Sequence, residues 1–136
     1  MANAQFDPAI TITAIPAFTD NYIWCMDNSE QAVVVDPGEA EPVLTFLQNK
    51  KLKLAAILIT HHHWDHAGGN RGMLAAWPDA EVVGSGDDAG KIEGITIRVS
   101  HEEQRSFGNL SARILAVPCH TRGHVAYLFG DALFCG

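Results

Sequence analysis

At 136 residues the chain has the length of one domain, long enough for a real core and short for a two-lobed enzyme. Its hydrophobic fraction of 47% fits a compact fold and excludes a disordered segment. A net charge of −7, with basic residues gathered only at Lys50-Lys51-Leu52-Lys53, argues against nucleic acid as a partner.

No apolar run approaches membrane-spanning length and the N-terminus lacks a signal-peptide core, so no membrane partner is expected. Three scattered cysteines, Cys25, Cys119 and Cys135, argue against a disulfide framework. A reducing, cytoplasmic setting is the default expectation.

In chain order, residues 9–15 alternate as a half-buried strand does. Residues 18–21 read as a turn, 22–26 as the next strand and 31–35 as an apolar third, giving a β-meander that ends at Asp36-Pro37-Gly38. Pro42 suits the first turn of a helix to about residue 49, with Val43, Leu44 and Leu47 on one face. The run 55–60, rich in β-branched and apolar residues, predicts a buried strand, and strand–helix–strand predicts a parallel crossover.

Four candidate metal ligands, His61, His63, Asp65 and His66, follow that strand within six residues. The His-x-His spacing is not helical, since a helix pairs ligands at i and i+4. They belong on a loop at the carboxyl end of a strand, where open α/β sheets place their sites. A histidine-rich surface loop or a purification tag would not follow a buried strand or alternate with Trp64 and Asp65. Gly68-Gly69 lets the backbone turn closely beneath the ligands, and Asn70 is expected to cap a helix through about residue 77. Asp36 admits two readings from the sequence: a turn starter before proline, or a group at a strand end that hydrogen-bonds a ligand or its backbone.

Farther along, residues 81–84 read as a short strand and 85–94 as a loop in which Asp87 and Asp88 are expected to be solvated. Residues 95–99 and 110–117 read as strands joined by a polar link that carries an exposed His101. The second of these ends in Cys119-His120-Thr121-Arg122-Gly123-His124. The first motif demands a further ligand from elsewhere in the chain, which favours His120. His124 reads as a packing residue, or one that orients a ligand.

Thr60-His61-x-His63-x-Asp65-His66 followed by Gly68-Gly69-Asn70 resembles the signature of the metallo-β-lactamase superfamily. The segments Phe18 to Trp24, Val35-Asp36-Pro37-Gly38 and His120-Thr121-x-Gly123-His124 narrow the resemblance to the glyoxalase II, or hydroxyacylglutathione hydrolase, family. It runs from about Ile12 to Gly136. The resemblance implies an αββα sandwich with two metals at one edge of two packed sheets. Carried over by position, one metal would take His61, His63 and His120, and the other Asp65, His66 and a later histidine. Zn(II) suits this mixed set, as do Fe and Mn.

The implied activity is hydrolysis of a glutathione thioester of the S-lactoylglutathione type, as in methylglyoxal detoxification. Asp65 would orient the attacking water-derived nucleophile. Leu133-Phe134-Cys135-Gly136 aligns with the strand preceding the family's bridging aspartate, so Asp131 is expected in a turn. On that alignment residues 1–136 form an incomplete domain, truncated in the second sheet and lacking the family's helical C-terminal substrate domain. Fewer than two metals, weak or lost activity and self-association through an exposed sheet edge are then expected. Two other readings remain open: a mononuclear-iron persulfide dioxygenase-like protein, and a non-enzymatic metal-binding fragment.

Overall fold

A computed structural model of the chain describes residues 10–18, 21–63, 67–107, 110–116 and 124–135. Strands β1 (Thr11–Ala17), β2 (Asn21–Asp27) and β3 (Gln31–Val35) pair antiparallel as the expected meander. Helix α1 (Glu41–Lys50) then carries the chain over to β4 (Lys53–Leu58), which pairs with β3 in parallel. Pro42 lies in the first turn of α1. Its fixed φ and missing N–H cost nothing there. The helix stops at Lys51, whose left-handed φ of 57° lets its N–H and that of Leu52 return to the carbonyls of Gln48 and Leu47.

Helix α2 (Asn70–Ala76) follows the histidine-rich segment and leads to β5 (Glu81–Ser85), a 3-10 helix (Gly86–Lys91) and β6 (Ile97–Val99). These strands complete a six-stranded sheet in sequential order from β1 to β6, parallel from β3 onward. Strands β7 (Gln104–Phe107), β8 (Leu110–Ala116), β9 (Val125–Phe129) and β10 (Ala132–Phe134) form a second, antiparallel sheet ordered β10-β9-β8-β7. Asp131 sits in the β9–β10 turn beside Gly130, whose φ is +57°.

Two apolar layers explain why the strands are continuous hydrophobic runs. One face of the first sheet packs Ile23, Val34, Ile57 and Val82 against Val43 and Leu47 of α1 and Met73 of α2. The other packs Met26, Val33, Val35, Leu58 and Val83 against Phe107, Ile114, Tyr127 and Phe129 of the second sheet. A register shift between β3 and β4 changes the phase of β4. Leu54 faces the helices, and so do Ile57 and Ile59 beyond the irregularity. The described residues thus give the α, β, β layers of the sandwich.

Three local expectations are corrected. Strand β4 ends at Leu58; the Ile59 N–H still donates to the Val83 carbonyl at 2.8 Å, but the Thr60 N–H turns to the Asp36 side chain instead of a neighbouring strand. Asn70 is the first helical residue and makes no capping bond. Its Nδ2 donates to the Glu93 carbonyl at 3.2 Å, a tertiary tie across 23 residues. The polar link after β6 contains β7, whose Arg105 is held to Glu103.

Candidate metal centre

The carboxyl ends of β3, β4 and β5 lie side by side, and the residues that follow each strand converge. Asp36, just past β3, has φ of 54°, a left-handed conformation that aspartate tolerates better than most residues. The residue is buried. Its Oδ1 accepts the Thr60 N–H at 2.7 Å and its Oδ2 accepts the Thr60 hydroxyl at 2.6 Å. The Thr60 oxygen in turn lies 3.0 Å from Nδ1 of the buried His61.

Donor–acceptor accounting fixes the proton. A carboxylate only accepts, so the single Thr60 O–H goes to Asp36 and the Thr60 oxygen must accept from His61. With Asp36 ionised, His61 therefore carries a hydrogen on Nδ1, and in the neutral ring Nε2, across from it, is the nitrogen with the lone pair. That is the tautomer a metal ligand needs, and an outer hydrogen bond on the opposite nitrogen is the usual way to set it.

His63 meets His61 edge to face at a ring-centroid distance of 4.7 Å. His124, immediately before β9, stacks on His61 at 4.4 Å and 23°. Its Nε2–H donates to the Cys135 carbonyl at 2.8 Å, which ties the histidine to the strand after the Asp131 turn. The structure thus brings together Asp36, His61, His63 and His124. Asp65, His66 and His120 lie outside the described residues. Among the described residues alone no group of three or more side chains forms a metal cage.

The loop's supports come from both sheets. The Val125 N–H donates to the Thr60 carbonyl at 2.8 Å, and the Tyr127 hydroxyl donates to the Ile59 carbonyl at 2.7 Å. Burial first, and the Asp36 charge second, raise the Tyr127 hydroxyl well above its ordinary range, against the opposing Ile59 bond. Tyr127 is consequently a fixed donor and no source of protons near neutrality. On the exit side Gly69 donates to the Pro37 carbonyl at 2.8 Å. A Cβ at Gly69 would strike that oxygen and sit 2.8 Å from the Glu39 carbonyl carbon, so only glycine closes the loop against the β3–α1 connection.

Asp88 is the residue the sequence undervalues. It is buried, and one of its oxygens, Oδ2, lies 3.1 Å from both the backbone nitrogen and Nδ1 of His62. Asp87 beside it is exposed, as expected of both. No local pattern separates the two. The distinction arises from a contact 26 residues away.

Residues 18–136 match the metallo-beta-lactamase superfamily. The chain belongs to that superfamily. Its relatives include a protein of Prochlorococcus marinus (strain MIT 9303) named hydroxyacylglutathione hydrolase. The two are 47% identical over 134 residues, covering 93% of this chain and 52% of that protein. A protein of the same name from Photobacterium profundum is 47% identical over 128 residues, covering 93% and 50%. The chain spans about half the length of the curated relatives it matches.

Among solved structures, ETHE1 from Myxococcus xanthus is 29% identical with a TM-score of 0.75, over 93% of this chain and 56% of that one. A metallo-beta-lactamase from Staphylococcus aureus, 22% identical with a TM-score of 0.76 over 94% and 42%, shares the fold. The superfamily's α/β sandwich and its divalent-metal chemistry agree with the His61 tautomer derived above.

Proposed function

We propose that this chain is the metal-binding module of a glutathione-thioester hydrolase of the hydroxyacylglutathione type. The observation that carries the reading is the buried Asp36–Thr60–His61 chain of hydrogen bonds, which presents an imidazole Nε2 at a strand end beside a second histidine ring. The names of relatives at 47% identity point the same way.

His61, His63 and His120 would hold one divalent ion, and Asp65 and His66 would contribute to a second. Imidazole nitrogen and carboxylate oxygen suit Zn(II), with Fe and Mn as alternatives. When bound, the metal supplies Lewis-acid polarisation of a carbonyl and a nucleophile at neutral pH. The chain's own residues do the rest. Asp65 accepts a hydrogen bond from the attacking oxygen and points it at the thioester carbon. Asp36 and Thr60 keep His61 in one tautomer, and His124 packs its ring. The sulfur of glutathione departs as a thiolate and needs no dedicated acid. S-lactoylglutathione as substrate, a place in methylglyoxal removal and a cytoplasmic location belong to the same proposal.

Metal analysis of the purified chain, paired with S-lactoylglutathione hydrolysis, tests it. The expected result is bound metal at fewer than two ions per chain, lost in His61→Ala and His63→Ala, with weak or absent turnover and any residual turnover abolished by chelation. Bound iron with oxygen uptake on a glutathione persulfide would instead favour the dioxygenase reading. A chain that holds no metal contradicts both.

A further inference from the structure

The segment from Ile59 to His62 has three consecutive peptide planes, the first two held by β9 (the first also by Asp36) and the third by the 3-10 helix after β5. Tyr127 of β9 and the Asp36 carboxylate fix the Ile59–Thr60 peptide through its carbonyl and its N–H. The Val125 N–H fixes the Thr60–His61 peptide through the Thr60 carbonyl. The third plane, His61–His62, is held through the His62 N–H, and its partner is Asp88 on the 3-10 helix after β5. Because peptides are planar, fixing successive planes leaves His61 almost no freedom in the direction of its side chain.

We propose that Asp88 is a positioning residue for the metal centre, acting through a single carboxylate oxygen on the His61–His62 peptide and on the His62 ring. This rests on the reading of His61 and His63 as metal ligands. His62 is not itself assigned a metal. It lies between two residues that are, and its own Nδ1 lies 3.1 Å from Asp88 Oδ2. An acceptor-only carboxylate on Nδ1 requires a hydrogen there, so both bonds run from His62 to Asp88. The Asp88 side chain is 3% exposed and the His62 side chain 25% exposed, so water competes weakly for the shared oxygen. The effect of this clamp is to splay the triplet, with His62 drawn toward β5 and its ring set at 79° to that of His63.

The test is Co(II) titration of the full chain, read by its visible ligand-field absorption, with Zn(II) competition for affinity. Asp88→Ala should weaken metal binding by about 10–100-fold and change the Co(II) band shape. Asp88→Asn retains a carbonyl oxygen able to accept both bonds and should lose less than about tenfold. His62→Ala keeps the backbone bond and should fall between them. Wild-type affinity and band shape in Asp88→Ala overturn the proposal, as does Asp88→Asn binding as weakly as Asp88→Ala.

If Asp88→Ala does not fold, the other two variants decide. Near wild-type binding by Asp88→Asn with weaker binding by His62→Ala supports the clamp, and the reverse order overturns it. A wild-type chain that takes up no Co(II) removes the metal reading itself, a result distinct from all of these.

Discussion

Two adjoining regions of the space between the sheets, which meet at Asp36, are built in opposite ways. At the carboxyl ends of β3, β4 and β5, buried Asp36, Thr60, His61, Asp88 and Tyr127 and half-buried His62 hold one short loop through three sets of hydrogen bonds. Along β1, β2 and β10 the same space opens as a mostly apolar cavity of about 390 Å³ lined by Ile12, Tyr22, Trp24, Leu133 and Phe134, and it reaches Asp36 and Cys135 beside the histidines. Tyr22 is 60% exposed there, Trp24 40% and Leu133 53%. A six-stranded sheet faces a four-stranded one, so the inner face of β1 and β2 is only partly covered. Hydrogen bonds fix the loop geometry at the polar region, while the apolar layers on both faces of the first sheet supply the burial. The apolar region leaves Tyr22, Trp24 and Leu133 exposed, and exposed apolar surface beside a strand edge favours association.

Changes at the polar region should have the largest consequences. Asp36→Ala removes two hydrogen bonds onto a carboxylate and strands the buried Thr60 donors. Denaturant unfolding of the metal-free chain should show a loss of about 3–5 kcal/mol, accompanied by weaker metal binding. A loss below about 1 kcal/mol would mean that water replaces the carboxylate and that the region is not closed.

Next comes alkaline sensitivity, which probes the helix-side layer. Burial, followed by the Asp27 charge and opposed by Lys50, raises the Cys25 thiol from 9.0 to about 12. The folded chain holds that proton more tightly than the unfolded chain does. The stability it contributes is therefore complete below pH 9 and is lost as pH rises toward 12, amounting to roughly 4 kcal/mol. Tyr127 acts in the same direction. Cys25→Ala should flatten the stability profile above pH 9, and an unchanged slope would show that the thiol is not sealed in the core.

Gly69→Ala should cost about 1–3 kcal/mol by forcing the loop away from Pro37, with a lower Tm and poorer metal retention. A variant of native stability would mean that the loop has room to relax. The smallest effect belongs to the apolar region. Leu133→Lys should leave stability within about 0.5 kcal/mol. Sedimentation velocity should show less self-association than the parent chain, and a parent that is a monodisperse monomer would contradict the association proposal.

What the sequence discloses, and what it hides, follows the same division. The meander, the β3–α1–β4 crossover and the placing of His61 and His63 beyond a buried strand are legible because apolar period and turn residues are local signals. The role of Asp36 stays open in the sequence because a turn aspartate and an aspartate gripping Thr60 look alike until the two strand ends are adjacent. Asp88 is hidden for the same reason, its partner being His62 of a neighbouring strand end. Asn70 has the residue type of a cap, but Gly69 takes the capping place and the asparagine side chain bonds to Glu93. Strand β7 escapes because Gln104 to Phe107 is polar on its exposed face and short, and the pairing partner β8 defines it.

The central claim is that Asp36 and Thr60 preset His61 as an Nε2 metal ligand before any metal arrives. Long-range ¹⁵N–¹H correlation spectra of the histidine rings in the metal-free chain test it directly. His61 should be the Nδ1–H tautomer, Zn(II) should shift its Nε2 resonance, and Thr60→Val should mix the tautomers. A His61 that carries its hydrogen on Nε2 in the metal-free chain would contradict the account.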